Sequence, residues 1–271
     1  MVFNAYVKSK IRQLLINYHR QLNSPKLSNE RDFIKCTTSF FQNCSISHGR
    51  LSFKTRSANI DRSPLVQFYP NKPWMNPCTR EIGDLLFISK FIRGHQIVRK
   101  RAAIVQSKFT GTGQRSWKGI DTAQFYFILR WPYFIRINPK PQIAYSLFPS
   151  CLTWGSYVFV GPQAVNYPLY YTSSRIFREH PQILSQKTFT FHFKKLIGWD
   201  TSPSFLMRQI LCLIGEDLFT NSSIDSFVDD LYGIVGLRPD PPGEFEWESS
   251  IEERPKGFGV VEFIMSSPEI E

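Results

Sequence analysis

The 271-residue sequence lacks several features that would place it in an easily recognised class of protein. Its five cysteines are odd in number and have no paired spacing, which argues against a disulfide-stabilised secreted domain. It contains no run of 18 apolar residues and no signal-peptide core at its amino terminus. We therefore expect a cytoplasmic protein without a membrane partner.

The sequence gives little support for a zinc site. Ligands could be drawn from Cys36, Cys44, His48 and Cys78, but their spacing matches no standard zinc finger. What the chain does contain is 42% hydrophobic and 15% aromatic residues, enough for a substantial core. This composition fits one large domain, or a domain with an appended module.

Acidic residues are scarce in the first part of the chain and abundant in the last. Residues 1–120 hold 21 Lys and Arg against 5 Asp and Glu, whereas residues 201–271 hold 4 against 14. A basic excess of this size is typical of proteins that neutralise nucleic-acid phosphates, although a merely soluble basic surface is the alternative. The candidate phosphate contacts are Lys90, Arg93, Arg99, Lys100, Arg101, Arg115 and Lys118.

Polar side chains interrupt two strand-like segments in this basic region. Asp84 comes at the head of the first, and Gln106 and Lys108 come at the end of the second. Side chains two residues apart project from the same face of a strand, so Gln106 and Lys108 can share a site. The segment Lys90–Gln96 has the composition of a hairpin connection, which would bring Asp84 beside them.

These residue types suit a divalent cation and phosphate chemistry. Mg²⁺ prefers oxygen ligands, which the Asp84 carboxylate, the Gln106 amide and the Val105 carbonyl could supply, with Glu81 as a second carboxylate. A bound ion of this kind polarises a phosphate and activates water. Lys108 would stabilise the charge that develops on the phosphate. We therefore assign Asp84, Gln106 and Glu81 as metal ligands and add Lys108 to form the catalytic set.

The order Glu81-Ile82-Gly83-Asp84 and then Gln106-Ser107-Lys108 resembles the PD-(D/E)XK nuclease superfamily, in the Gln-x-Lys variant of Mrr-type restriction endonucleases. The resemblance covers roughly residues 78–130. It implies that Asp84 is the metal-binding acid, that Gln106 replaces the second acid and that Lys108 is the motif lysine. No proline precedes Asp84, and for the glutamate that many members carry on a preceding helix the candidates are Glu30 and Glu81.

The resemblance also implies an α/β (α+β mixed) fold with a restriction-endonuclease-like mixed sheet flanked by helices. The expected activity is Mg²⁺- or Mn²⁺-dependent cleavage of DNA, for which defence against foreign DNA is one setting. The alternative is a non-catalytic subunit that binds nucleic acid or protein through a nuclease-like fold. Further expected partners are a second copy of the chain, or a protein bound through the acidic C-terminal region.

The remaining patterns predict the organisation of the chain. We expect a nuclease-like core with an N-terminal helix over residues 1–132. A strand-rich extension with an acidic end would cover residues 133–271, as a separate part or within the same domain. Helices are predicted at Tyr6–Leu22, Arg31–Phe41, Ile120–Leu129, Ser204–Phe219 and Ser223–Tyr232, and a terminal strand at Gly259–Met265. Gln124, on the helix after the motif lysine, is expected to face the site or solvent.

Overall fold

The computed structural model describes residues 5–22, 27, 29–60, 63–69, 76–110, 116–151, 153–161, 168–192, 202–237 and 257–267. Six α-helices occur in these ranges: α1 Ala5–Leu22, α2 Glu30–Phe40, α3 Thr122–Arg130, α4 Ser173–Glu179, α5 Ser202–Ile210 and α6 Ser222–Ile234. The described helices include none that is both long and apolar enough to cross a membrane.

Fourteen strands accompany the helices in the same ranges. They are β1 Ser45–His48, β2 Leu51–Ile60, β3 Leu65–Phe68, β4 Cys78–Glu81, β5 Leu85–Arg93, β6 Gln96–Phe109, β7 Ser116–Asp121, β8 Phe134–Asn138, β9 Ile143–Tyr145, β10 Gly155–Val160, β11 Leu169–Thr172, β12 Thr188–His192, β13 Glu216–Asp217 and β14 Phe258–Ser267. The expected mixed α/β class is therefore confirmed.

A mixed eight-stranded sheet forms the centre of the molecule, in the order β1-β2-β14-β5-β6-β10-β11, with β13 paired to β6. The pairs β14–β5 and β6–β10 are parallel, and the other pairs are antiparallel. The hairpin predicted between Asp84 and Gln106 is present. It is tighter than expected, because β5 continues to Arg93 and only two residues separate it from β6.

Helices cover both faces of this sheet. One hydrophobic cluster joins apolar residues of α1, α2 and α5 to one face, and α1 contributes a stripe at helical spacing, including Ile11, Leu15 and Tyr18. A second cluster joins α3, α6 and the two smaller sheets, β4-β3-β8-β9 and β12-β7, to the other face. Because both faces are covered, the middle strands contain buried apolar runs such as Leu85–Ile88 and Ala102–Val105, and a buried polar side chain next to them is conspicuous.

The C-terminal half of the chain belongs to the same sheet as the first half. Strand β14 lies between β2 and β5, and β10 lies beside β6. The described strands β10, β11, β13 and β14 therefore share one sheet with strands from before residue 132. The terminal strand predicted at Gly259–Met265 is confirmed, but it is one of the central strands of the fold.

Helix predictions agree with the structure to within a few residues, with one exception. The predicted helix Ser204–Phe219 ends as α5 at Ile210, because the chain turns through Cys212 and Gly215 with positive φ and then pairs as β13. A side chain at Gly215 would lie 2.5 Å from the Ala102 carbonyl oxygen, so the turn requires glycine.

Candidate active site

The site is built around Asp84, directly before β5. The Asp84 N–H donates to the Val105 carbonyl at 2.9 Å, and the Asp84 carbonyl accepts from Gly259 at 2.9 Å. Asp84 is thereby fixed between β6 and β14, and only 3% of it is exposed. The preceding Gly83 allows this close approach, because a Cβ there would lie 2.5 Å from the side chain of Ile104.

One oxygen of the Asp84 carboxylate accepts three hydrogen bonds from the Gln-x-Lys segment. Asp84 Oδ2 lies 2.6 Å from Gln106 Nε2, 2.5 Å from the Ser107 backbone nitrogen and 2.6 Å from Ser107 Oγ. The three contacts fix the orientation of the carboxylate. Ser107 occupies the variable middle position of the Gln-x-Lys motif, so the motif assigns it no role.

The charge balance around Asp84 is unfavourable for a carboxylate. Burial and the nearby Glu30 carboxylate raise the pKa of Asp84 to about 7, although Lys108 and the Ser107 hydrogen bonds act in the opposite direction. The side chain therefore exchanges its proton near neutral pH. A cation bound beside it would compensate the excess negative charge and favour the ionised form.

Glu30 is the carboxylate that joins this site from a helix. Asn29 caps α2 by accepting a hydrogen bond from the Asp32 N–H at 3.0 Å, which makes Glu30 the first helical residue. Glu30 Oε1 lies 3.0 Å from Lys108 Nζ. Of the two candidates for the helix glutamate, Glu30 is the one that lies on a helix and contacts the motif lysine.

Gln106 connects Asp84 to helix α3. Its Nε2 donates to Asp84, while its Oε1 accepts from Gln124 Nε2 at 2.6 Å. Gln124 is 6% exposed and faces the site, the first of our two interpretations. With this amide orientation, the nitrogen of Gln106 and not its oxygen points towards Asp84. Gln106 could act as a metal ligand only if its amide rotated and Gln124 rotated with it.

Glu81 lies at the rim of a pocket of about 510 Å³ that also reaches Asp84. Burial and the Glu30 carboxylate raise the pKa of Glu81, and Lys108 opposes them. The lining also includes Glu30, Arg31, Ser63 and Asn138. The pocket is large enough for a phosphate group and a hydrated cation.

One of the expected oxygen ligands of the metal already has a hydrogen-bond partner. The Val105 carbonyl already accepts the Asp84 N–H. Within the described ranges, no three His, Cys, Asp or Glu side chains form a group that could hold a metal ion. Asp84 and Glu30 could together supply a two-carboxylate site for a cation that keeps several waters.

Lys90 was expected to contact phosphate, and the structure corrects this. Lys90 is 3% exposed and its Nζ lies 2.7 Å from Glu262 Oε1, so its ammonium group is inside the protein. The prediction for Lys90 was wrong because the connection between β5 and β6 is shorter than the sequence indicated. Position 90 therefore lies within a covered strand.

Lys100 and Arg101, two further candidates, face acidic residues of the C-terminal part. Lys100 Nζ lies 2.5 Å from Asp225 Oδ1, and an Arg101 nitrogen lies 3.5 Å from Asp217 Oδ2. Arg136 pairs in the same way with Asp230 at 2.7 Å. Part of the negative charge of the C-terminal region is thus used in pairing with basic side chains of the same molecule.

The remaining basic candidates do not gather around Asp84. Arg93 and Arg99 are exposed, but they lie at the hairpin end of β5 and β6, roughly 25 Å along the strands from Asp84. Lys118 is exposed on β7, and Arg115 lies outside the described residues. Arg31 lines the pocket beside Glu30, and its position on α2 gave no signal of this in the sequence.

Comparison with known proteins gave no match: no family model, curated protein or solved structure is similar to this chain. Assignment of a function therefore depends on the geometry of the site.

Proposed function

We propose that this protein is a divalent-metal-dependent deoxyribonuclease with a restriction-endonuclease-like fold. The observation that carries the proposal is that Asp84, Gln106 and Lys108 meet at one end of the sheet, with Glu30 entering from α2. Two segments 22 residues apart supply an acid, an amide and a lysine in the order of the Gln-x-Lys nucleases. A pocket that could admit phosphate opens beside them.

The donor set fits Mg²⁺ or Mn²⁺ through its carboxylates. Asp84, Glu30 and Glu81 offer oxygen atoms, and the raised pKa of Asp84 is the result expected for a carboxylate that is short of positive charge. Asp84 and Glu30 would hold the ion, with Glu81 acting directly or through water. When bound, such an ion supplies a polarised phosphate and an activated water.

The chain's own side chains would do the rest of the work. Lys108 would exchange its contact with Glu30 for one with the phosphate and stabilise the charge that develops there. Arg31 would orient the phosphate group at the pocket mouth. Gln106 and Ser107 would hold the Asp84 carboxylate in place. DNA would be the substrate, a homodimer would cut both strands, and defence in the cytoplasm is a fitting setting.

A specific observation favours a second candidate, a nucleic-acid-binding protein that does not cut. Gln106 presents its amide nitrogen to Asp84, Lys108 is paired with Glu30, and no group of three metal-binding side chains occurs among the described residues. In that case the protein would bind DNA in a salt-sensitive manner and leave it intact in any metal.

A plasmid-cleavage assay in Mg²⁺, Mn²⁺ or EDTA tests the proposal. We expect metal-dependent nicking that Asp84→Asn and Lys108→Met each reduce by about 100-fold or more. The first removes the charge of a metal ligand, and the second removes the positive charge that would stabilise the reacting phosphate. Lys35→Met, at an exposed position of α2, is the matched control and should cut normally. Equal nicking by the wild type and Asp84→Asn would refute the assignment. DNA binding without cleavage by the wild type would support the second candidate.

A further inference from the structure

A second pocket, remote from Asp84, lies at the open edge of the central sheet. It has a volume of about 500 Å³ and lies between β11, α4 and α5. Strand β11 is the last strand on this side of the sheet. None of the residues that line this pocket belongs to the site described above.

Three arginines give this pocket its charge. Arg175, Arg178 and Arg208 line it, against one acid, Glu179, so that the side chains carry a net charge of +2. The Arg175–Glu179 pair, with an N–O distance of 2.8 Å, spans one turn of α4. The Arg175 guanidinium also lies over the Tyr171 ring at 5.0 Å. These two contacts hold Arg175 in a fixed orientation.

The rest of the lining combines hydroxyl groups with an apolar wall. Thr153, Thr172 and Ser174 line the pocket with hydroxyl groups that also make hydrogen bonds within the protein. The rings of Tyr170 and Phe205 also line the pocket, and they stack with centroids 4.3 Å apart and nearly parallel planes. A ligand that fits therefore combines an anionic group with a flat or apolar part.

We propose that this pocket binds a phosphomonoester of mononucleotide size. A terminal phosphate carries about two negative charges at neutral pH and accepts the paired hydrogen bonds of guanidinium groups. That charge matches the +2 of the pocket better than the single charge of a carboxylate or a phosphodiester. The volume suits a small molecule of this size. The inference does not depend on the nuclease assignment.

The ligand could be a free nucleotide or the phosphorylated end of a nucleic-acid strand. Calorimetric titration at physiological salt with adenosine monophosphate, adenosine and a 5′-phosphorylated oligothymidylate distinguishes these sources. We expect the better of the two phosphorylated probes to bind about tenfold or more tightly than adenosine, because the arginines act on the phosphate.

Variants show whether binding uses this pocket. Arg178 is exposed, and among the described residues it has no ion-pair partner, so Arg178→Ala should fold normally and weaken binding of that probe about tenfold. Arg208→Gln should act in the same direction. Arg12→Ala, an exposed position of α1, removes the same charge elsewhere and should bind like the wild type. Absence of binding by both phosphorylated probes, or equal binding by the Arg178→Ala and Arg12→Ala variants, would overturn the proposal.

Discussion

Two buried carboxylates on neighbouring parts of one sheet have opposite electrostatic surroundings. Glu262 lies within β14, fully buried, with Lys90 at 2.7 Å, Arg56 in a short contact and the Tyr232 hydroxyl as a donor. Burial alone would raise the pKa of Glu262, but the two cations bring it below its ordinary value. Asp84 has one nearby lysine, which it shares with Glu30, and its pKa rises to about 7.

This difference in surrounding charge distinguishes a carboxylate with a structural role from a candidate for a functional one. Glu262 has two positive groups for one negative group, so it is stably ionised and needs no further ligand. Asp84 and Glu30 share the charge of Lys108, and their pocket is open to a cation. A buried acid that the protein leaves short of positive charge is a candidate for binding a metal or a proton. Burial alone does not reveal this, since both acids are buried.

The largest expected effect on stability is at Glu262. Glu262→Gln removes the buried negative charge that both Lys90 and Arg56 contact, which should lower the free energy of unfolding by about 3–5 kcal/mol. Glu179→Gln is the matched control, because its pair with Arg175 is partly exposed and should cost at most about 0.5 kcal/mol. Urea unfolding measures both. Similar losses in the two variants would show that the Glu262 pair is not specially stabilising.

The same type of substitution at Asp84 should raise the free energy of unfolding instead of lowering it. The pKa of Asp84 rises from an ordinary 3.8 to about 7, so keeping it ionised costs stability above pH 7. Asp84→Asn should therefore be more stable than the wild type at pH 8, by about 2–4 kcal/mol before the loss of hydrogen-bond strength to Ser107 is subtracted.

The pH dependence tests the cause of that gain. Between pH 7 and pH 4 the folded wild type takes up a proton on Asp84 and the unfolded chain does not, so the wild type becomes more stable as the pH falls. The advantage of Asp84→Asn should shrink over this range. Unfolding measured at pH 8, 6 and 4.5 follows it, and an advantage that did not change with pH would contradict the raised pKa.

The sequence predicts the Asp84 region better than the Glu262 region, and the reason is physical. The Asp84 region depends on a hairpin and on side chains two residues apart, so local periodicity was enough to bring Asp84, Gln106 and Lys108 together. The Glu262 region depends on insertion of the last strand between β2 and β5, which joins residues about 200 positions apart. No local pattern contains that pairing.

One error follows from the same limit. Lys90 reads as an exposed hairpin cation, whereas β14 and α6 cover it in the fold. The pairing of C-terminal aspartates with Lys100, Arg101 and Arg136 likewise has no signal in the local sequence. The acidic segment at 238–256 lies outside the described residues. Glu30 could be named as a candidate, but its contact with Lys108 depends on how α2 packs on the sheet.

The smallest expected effect is stabilisation by a divalent cation. At pH 8, Mg²⁺ at about ten times its dissociation constant should raise the free energy of unfolding of the wild type by about 1.4 kcal/mol. At pH 6 the gain should be smaller, because protons compete for Asp84, whose pKa is about 7. Asp84→Asn should lose the gain, whereas the Lys35→Met control should keep it. If Mg²⁺ stabilised Asp84→Asn as much as the wild type, the ion would act elsewhere, and the contrast between Asp84 and Glu262 would have no bearing on metal binding.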